Sequence, residues 1–170
     1  MQSSTIKKLS RAGVIAGLYT AVSMLVFPLA GGAVQLRVSE AFTLLPLFFI
    51  EAIPALFVGC ILSNLIVGCA PPDIILGSLV TLVAATFTFC TGKLIKNLAV
   101  KIIVGGIFPV LLNAFILPLI WVYCYGALEY IYVVQALILI VGQSVAVYGA
   151  GTPLVTTLNR LKERGAKFME

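Results

Sequence analysis

Long apolar runs separated by short polar breaks organise this chain, covering roughly residues 12–30, 38–50, 52–70, 74–92, 102–126 and 130–152. Most of these runs approach the ~20 residues that an α-helix needs to cross ~30 Å of hydrocarbon. The second is shorter, and at ~1.5 Å per residue it reaches only about 20 Å. The breaks carry helix-ending chemistry. Pro46 and Pro54 flank Glu51, and proline both lacks a backbone donor and disfavours helix in the residue before it. "CAPPD" (Cys69 to Asp73) and the segment from Gly126 to Glu129 supply two further turns. The pattern predicts an all-α integral membrane protein: one domain over residues 1–170, built as a bundle of six transmembrane helices with a short second helix.

Composition agrees. The chain is 61% hydrophobic with a mean hydropathy of +1.15 and only 10% charged residues, against about a quarter charged in a soluble domain. The cations then fix the topology. With six spans and a cytoplasmic N-terminus, three clusters all fall inside: Lys7, Lys8 and Arg11; Lys93, Lys96 and Lys101; and Arg160, Lys162, Arg164 and Lys167. They make up ten of the eleven cations. Five spans would strand the last two clusters outside. Both termini are therefore expected in the cytoplasm, as tails of about residues 1–11 and 160–170. The first run follows three cations and reaches "LAGGA", in the manner of a secretory leader. It is long enough to span and equally apolar runs follow it, so it is taken as a retained helix.

An ionised side chain at the centre of a span costs about 2.5–3.5 kcal/mol, so polar groups in spans normally face a bundle interior or a cavity. Gln35, Arg37, Glu40 and Asp73 fall at the external boundary, Asn64 and Gln135 in outer halves, and Asn113 and Gln143 near the middle of their spans. Each amide alone could be interhelical glue, worth about 0.6–2 kcal/mol. Arg37 and Glu40 alone could be a local i,i+3 ion pair worth a few tenths of a kcal/mol. Their gathering from four separate elements points instead to a polar pocket open to the outside. Trp121, Tyr123, Tyr125, Tyr130 and Tyr132 surround the last external turn as an interfacial belt, with the deeper Trp121 a candidate stacking wall for a planar ligand. Tyr19 and Tyr148 are read as packing residues. Ala12, Gly13, Ala16, Gly17, Thr20 and Ala21 give the first span a face of small residues that another helix can approach closely.

Several chemistries are missing. The chain has no His and no Cys-x-x-Cys, so no zinc site is expected, and Cys60, Cys69, Cys90 and Cys124 suit apolar packing. No phosphate-cradling Gly-x-x-x-x-Gly-Lys-Ser/Thr occurs, nor a Gly-x-Ser-x-Gly or an Asp pair in facing spans. No enzyme activity, cofactor or metal is expected. No carboxylate falls near the midplane to couple a proton, and no repeat relates the two halves. A binder without an energy source needs a partner.

Three stretches, "VQLRVSEAFTLLPLF" (Val34 to Phe48), "GCILSNLIVG" (Gly59 to Gly68) and "DIILGSLVTLVAATFT" (Asp73 to Thr88), resemble in the same order the QueT type of S component of energy-coupling factor (ECF) transporters. The likeness runs over roughly residues 11–160. It implies a substrate-binding subunit in the bacterial cell membrane that captures a queuosine precursor, a deazaguanine base, from outside. Its partners would be a membrane coupling protein and two cytoplasmic ATPases, and the subunit would topple to deliver its ligand. The resemblance implies that the loop holding Gln35 and Arg37 closes over the ligand, and that Ala12, Ala16 and Thr20 meet the coupling protein. A deazaguanine offers adjacent N–H donors, which suit Glu40 as a double acceptor. Asn64, Asn113 and Gln143 would satisfy the carbonyl and ring nitrogens, Glu40 or Ser39 would hold Arg37 in the empty state, and Asp73 would meet an aminomethyl cation. The competing expectations are a stand-alone six-helix carrier and a non-transporting scaffold.

Overall fold

The computed structural model of the chain describes residues 2–27, 37–126 and 130–165, with side chains from Thr5 onward. Among the described residues there are six helices and no strands: α1 (Gln2–Leu25), α2 (Val38–Leu47), α3 (Ala52–Val67), α4 (Asp73–Leu94), α5 (Leu98–Tyr125) and α6 (Tyr132–Glu163). Helices α4, α5 and α6 are long and apolar enough to cross a membrane, while α2 and α3 are shorter apolar helices. Helix α1 is 24 residues long, but its first turns carry Lys7, Lys8 and Arg11.

The predicted elements stand, with moved boundaries. Helix α5 starts ahead of the expected residue 102 because Asn97 caps it, accepting a bond from the Val100 backbone N–H at 3.2 Å. It ends on Gly126 at φ +66°, a left-handed conformation in which glycine has no Cβ to clash. Helix α6 runs past residue 152 into the cationic segment. The short second helix is a ten-residue 3₁₀ helix with Pro46 inside it. Its steeper rise of ~2.0 Å per residue carries it ~20 Å.

The bundle is apolar outside and polar inside. On α5, Ile103, Ile107, Leu111, Phe115 and Leu119 recur every fourth residue as an exposed stripe, while Gly105, Gly106, Pro109, Asn113 and Leu117 are buried on the other face. On α4, Leu79, Val83 and Phe87 are exposed, while Ser78, Thr81, Thr88 and Thr91 are buried. Lipid outside the bundle, rather than water, accounts for this arrangement.

Helices approach closely at small residues. Gly59 of α3 faces α1, where an added Cβ would lie 3.1 Å from the Ala16 carbonyl oxygen. Gly92 of α4 lies against the Leu47 backbone, and Gly151 of α6 against the Ala41 carbonyl, so α2 is held between α4 and α6. Pro109 brings no N–H to the i−4 carbonyl of Gly105. The Thr88 hydroxyl donates to that carbonyl instead at 2.9 Å, tying α4 to α5.

One end of the bundle is cationic. Arg11 of α1 pairs with Glu51, in the turn between α2 and α3, at 2.7 Å, and its guanidinium lies 4.5 Å from the centre of the Phe49 ring. Lys162 of α6 lies 5.9 Å from the Phe48 ring centre. The start of α1, the α2–α3 turn and the end of α6 thus share one end, as an even number of spans requires.

Gly92→Ala should lower stability by about 1–3 kcal/mol, the usual cost of forcing atoms into a filled contact. Its Cβ would sit 2.5 Å from the Leu47 carbonyl oxygen. Gly13→Ala, with nothing within 4 Å, should leave stability unchanged or raise it by up to about 1 kcal/mol. Thermal unfolding in detergent compares the two.

Candidate ligand-binding site

Glu40 is the centre of the site. It lies in the first turn of α2, 1% exposed. Its Oε1 accepts a hydrogen bond from the Tyr19 hydroxyl of α1 at 2.9 Å, and its Oε2 accepts one from Asn113 Nδ2 of α5 at 3.4 Å. Three helices therefore converge on one carboxylate. Hydrogen bonds to an ionised acceptor are worth roughly twice those between neutral groups, and they offset part of the cost of removing the charge from water.

Glu40 lies deeper than its place in the sequence suggests. Both of its partners are mid-span residues, and α2 carries the carboxylate down to them. The sequence puts Glu40 at the external boundary, and the structure instead buries its carboxylate between α1 and α5. Tyr19, read from sequence as packing, is also a donor to the site. No sequence signal distinguishes it from Tyr148, which does pack, lying over Gly106 with its hydroxyl donating to the Ile103 carbonyl at 2.8 Å.

Arg37 and Glu40 do not form the expected local pair. Among the described residues no Arg37 nitrogen comes within 4.0 Å of a carboxylate oxygen. The reason is local: the residues join through the backbone, with the Glu40 N–H donating to the Arg37 carbonyl at 2.9 Å. The Glu40 side chain is turned into the bundle. Ser39 is buried beside it. Gln35 lies outside the described residues.

A second cluster forms at the aromatic end. Asp73, at the start of α4, accepts from Trp121 Nε1 at 3.1 Å and from the Tyr125 hydroxyl at 2.9 Å, so each carboxylate oxygen already has a donor. Each oxygen keeps a further lone pair, and the Trp121 indole is oriented by this bond. Asn64 donates to the Asp73 backbone carbonyl at 3.4 Å and lies 3.6 Å from Cys60 Sγ. The local wide turn Asp73–Gly77, a π-helical stretch, brings this carbonyl and carboxylate together. Tyr123 and Tyr130 are exposed, as a belt requires. The Tyr132 hydroxyl donates to the Phe115 carbonyl at 2.9 Å.

Gln135 and Gln143 of α6 are buried at 2% and 1% exposure. Gln143 Oε1 has no hydrogen-bond partner among the described residues. The expected site residues thus separate into an inner group around Glu40 and Asn113 and an outer group around Asp73, Trp121 and Asn64.

The small residues of α1 separate too. Ala12 and Ala16 pack in the core that α1 shares with α3, and the Thr20 hydroxyl lies 3.3 Å from the Gly59 carbonyl oxygen of α3. The open positions are Gly13, Gly17 and Ala21: all three are exposed, and neither glycine has a neighbour within 4 Å of an added Cβ.

A family model described as the QueT transporter matches residues 9–160. No curated protein and no solved structure matches the chain.

Trp121 is the single tryptophan. Asp73→Ala removes the acceptor of its indole N–H, so tryptophan emission should shift to the red as water replaces the carboxylate. The fluorescence spectrum in detergent checks this, and an unshifted maximum would show that the bond does not set the indole environment.

Proposed function

The chain belongs to the QueT transporter family, a family of transporters and not of enzymes, and on that premise we propose that it is the substrate-binding S subunit of an ECF-type transporter. It captures a queuosine precursor, a deazaguanine base, from outside a bacterial cell and passes it inward with a membrane coupling protein and two cytoplasmic ATPases. The observation that carries this reading is the buried Glu40 carboxylate, held by Tyr19 and Asn113 inside an apolar bundle. Each oxygen there has one donor and a further lone pair, so the carboxylate is able to accept two adjacent N–H groups from a flat base. Asn113 beside it and Gln143, with an uncommitted oxygen, suit the remaining polar edge.

Arg37 and Gln35 are further ligand contacts in this reading. Asp73, Trp121 and Asn64 form the outer rim, where the indole, fixed by Asp73, presents a flat face. The coupling protein meets α1. Ala12, Ala16 and Thr20 are engaged with α3, so we assign the contact to the parallel row Gly13, Gly17 and Ala21, one residue further round the helix.

A second reading, a stand-alone carrier, draws on the depth of Glu40, since a mid-bundle carboxylate is the usual place for a proton relay. Uptake of a deazaguanine into liposomes holding this chain alone, driven by a pH gradient, would establish it. Uptake that needs the coupling protein and ATP would establish the S-subunit reading.

Two variants test the residue assignments. Glu40→Gln keeps an acceptor for Tyr19 but loses the charge and one acceptor site. It should weaken deazaguanine binding by about tenfold or more in isothermal titration, with the fold retained. Gly17→Leu fills an open position; it should leave ligand binding intact while abolishing co-purification with the coupling protein.

A further inference from the structure

Ser78 is fully buried, at 0% exposure, and its hydroxyl oxygen has no hydrogen-bond partner among the described residues. Its own helix makes this unusual. Thr81, Thr86 and Thr91 of α4 each donate to the carbonyl four residues back, and Thr88 donates across to Gly105. A helical serine normally uses that same carbonyl. At Ser78 the preceding turn is the π-helical stretch Asp73–Gly77, whose wider winding displaces the carbonyls from their α-helical positions. The wide turn thus leaves a buried hydroxyl uncommitted.

The residues flanking Ser78 on α4 touch the elements that carry the site. The adjacent Gly77 comes within 3.8 Å of Asn64 Nδ2 on α3 and of Leu117 on α5, measured from an added Cβ. Leu117 is one turn from Asn113, which bonds Glu40. Thr81, one turn further along the Ser78 face of α4, lies 3.6 Å from Cys60 Sγ on α3. Ser78 therefore lies on α4 between the Asp73–Asn64 rim and the Glu40–Asn113 centre. Gln143 on α6 is a second buried polar side chain, its amide oxygen without a partner among the described residues. An unpaired buried polar atom is costly to the empty protein, and a ligand that supplied the missing bond would relieve that cost.

We propose that Ser78 is a specificity-determining residue of the binding site, its hydroxyl reserved for a polar edge atom of a bound planar heterocycle. This rests on the deazaguanine reading above, with Glu40 holding one edge of the base and Ser78 reaching another. A hydroxyl both donates and accepts, so it is able to serve a ring nitrogen or an exocyclic N–H.

The test uses the full chain in detergent with an aminomethyl-substituted 7-deazaguanine as the probe. Ser78→Ala removes an unpaired group from a buried position, so the ligand-free variant should unfold at the same temperature as the parent or higher. Its affinity for the probe should fall by about tenfold. A purely structural hydroxyl gives the reverse: a lower unfolding temperature and unchanged affinity, and either result overturns the proposal. If the parent chain itself does not bind the probe, the deazaguanine reading fails and this proposal falls with it. If the parent binds and Ser78→Ala binds equally well, only the role of Ser78 falls.

Discussion

A carboxylate enclosed in an apolar bundle must be met by donors, and in this chain that requirement joins elements far apart in sequence. Glu40 draws Tyr19 from α1 and Asn113 from α5 to itself. Its helix is held in turn between Gly92 of α4 and Gly151 of α6. Removing a partner from such a group leaves a desolvated charge, a penalty of several kcal/mol in comparable cases. The positions of α1, α2 and α5 are thus fixed by polarity as much as by shape. The same arrangement makes the centre suitable for a hydrogen-bonding ligand.

The number of helices was legible because lipid imposes a simple rule on sequence. Each span must be long and apolar, and cations collect at one side. The placement of the cations divides what could have been one long run, and Pro46 and Pro54 around Glu51 support the break there. The ion pair of Arg11 with Glu51, with Lys162 nearby, then puts these elements at a common end. Helix limits were less legible. Asn97 extends α5 toward its N-terminus through a cap, and α6 continues through residues whose cations mark an end to membrane but not to helix.

The candidate site was legible by residue type and not by depth. Asn113, Gln143 and Asn64 stand out because amides are conspicuous among aliphatic residues. Glu40 was placed too near the surface, since the short α2 enters the bundle and its first turn is already deep. Tyr19 and Tyr125 were hidden among tyrosines whose hydroxyls could equally face an interface, and Ser78 among ordinary helical serines and threonines. What separates these residues is the direction of a side chain and the local widening of a helix. Neither leaves a mark in hydrophobic periodicity.

The helices differ greatly in reach. The 28 residues of α5 extend about 42 Å, beyond the ~30 Å of a hydrocarbon core, while α2 reaches about half that. A long helix in a thinner layer leans over. Because α2 is bonded to α5 through Glu40 and held against α6 at Gly151, it leans with them. Membrane thickness thereby acts on the tilt of α5 and, through these contacts, on the short helix joined to it.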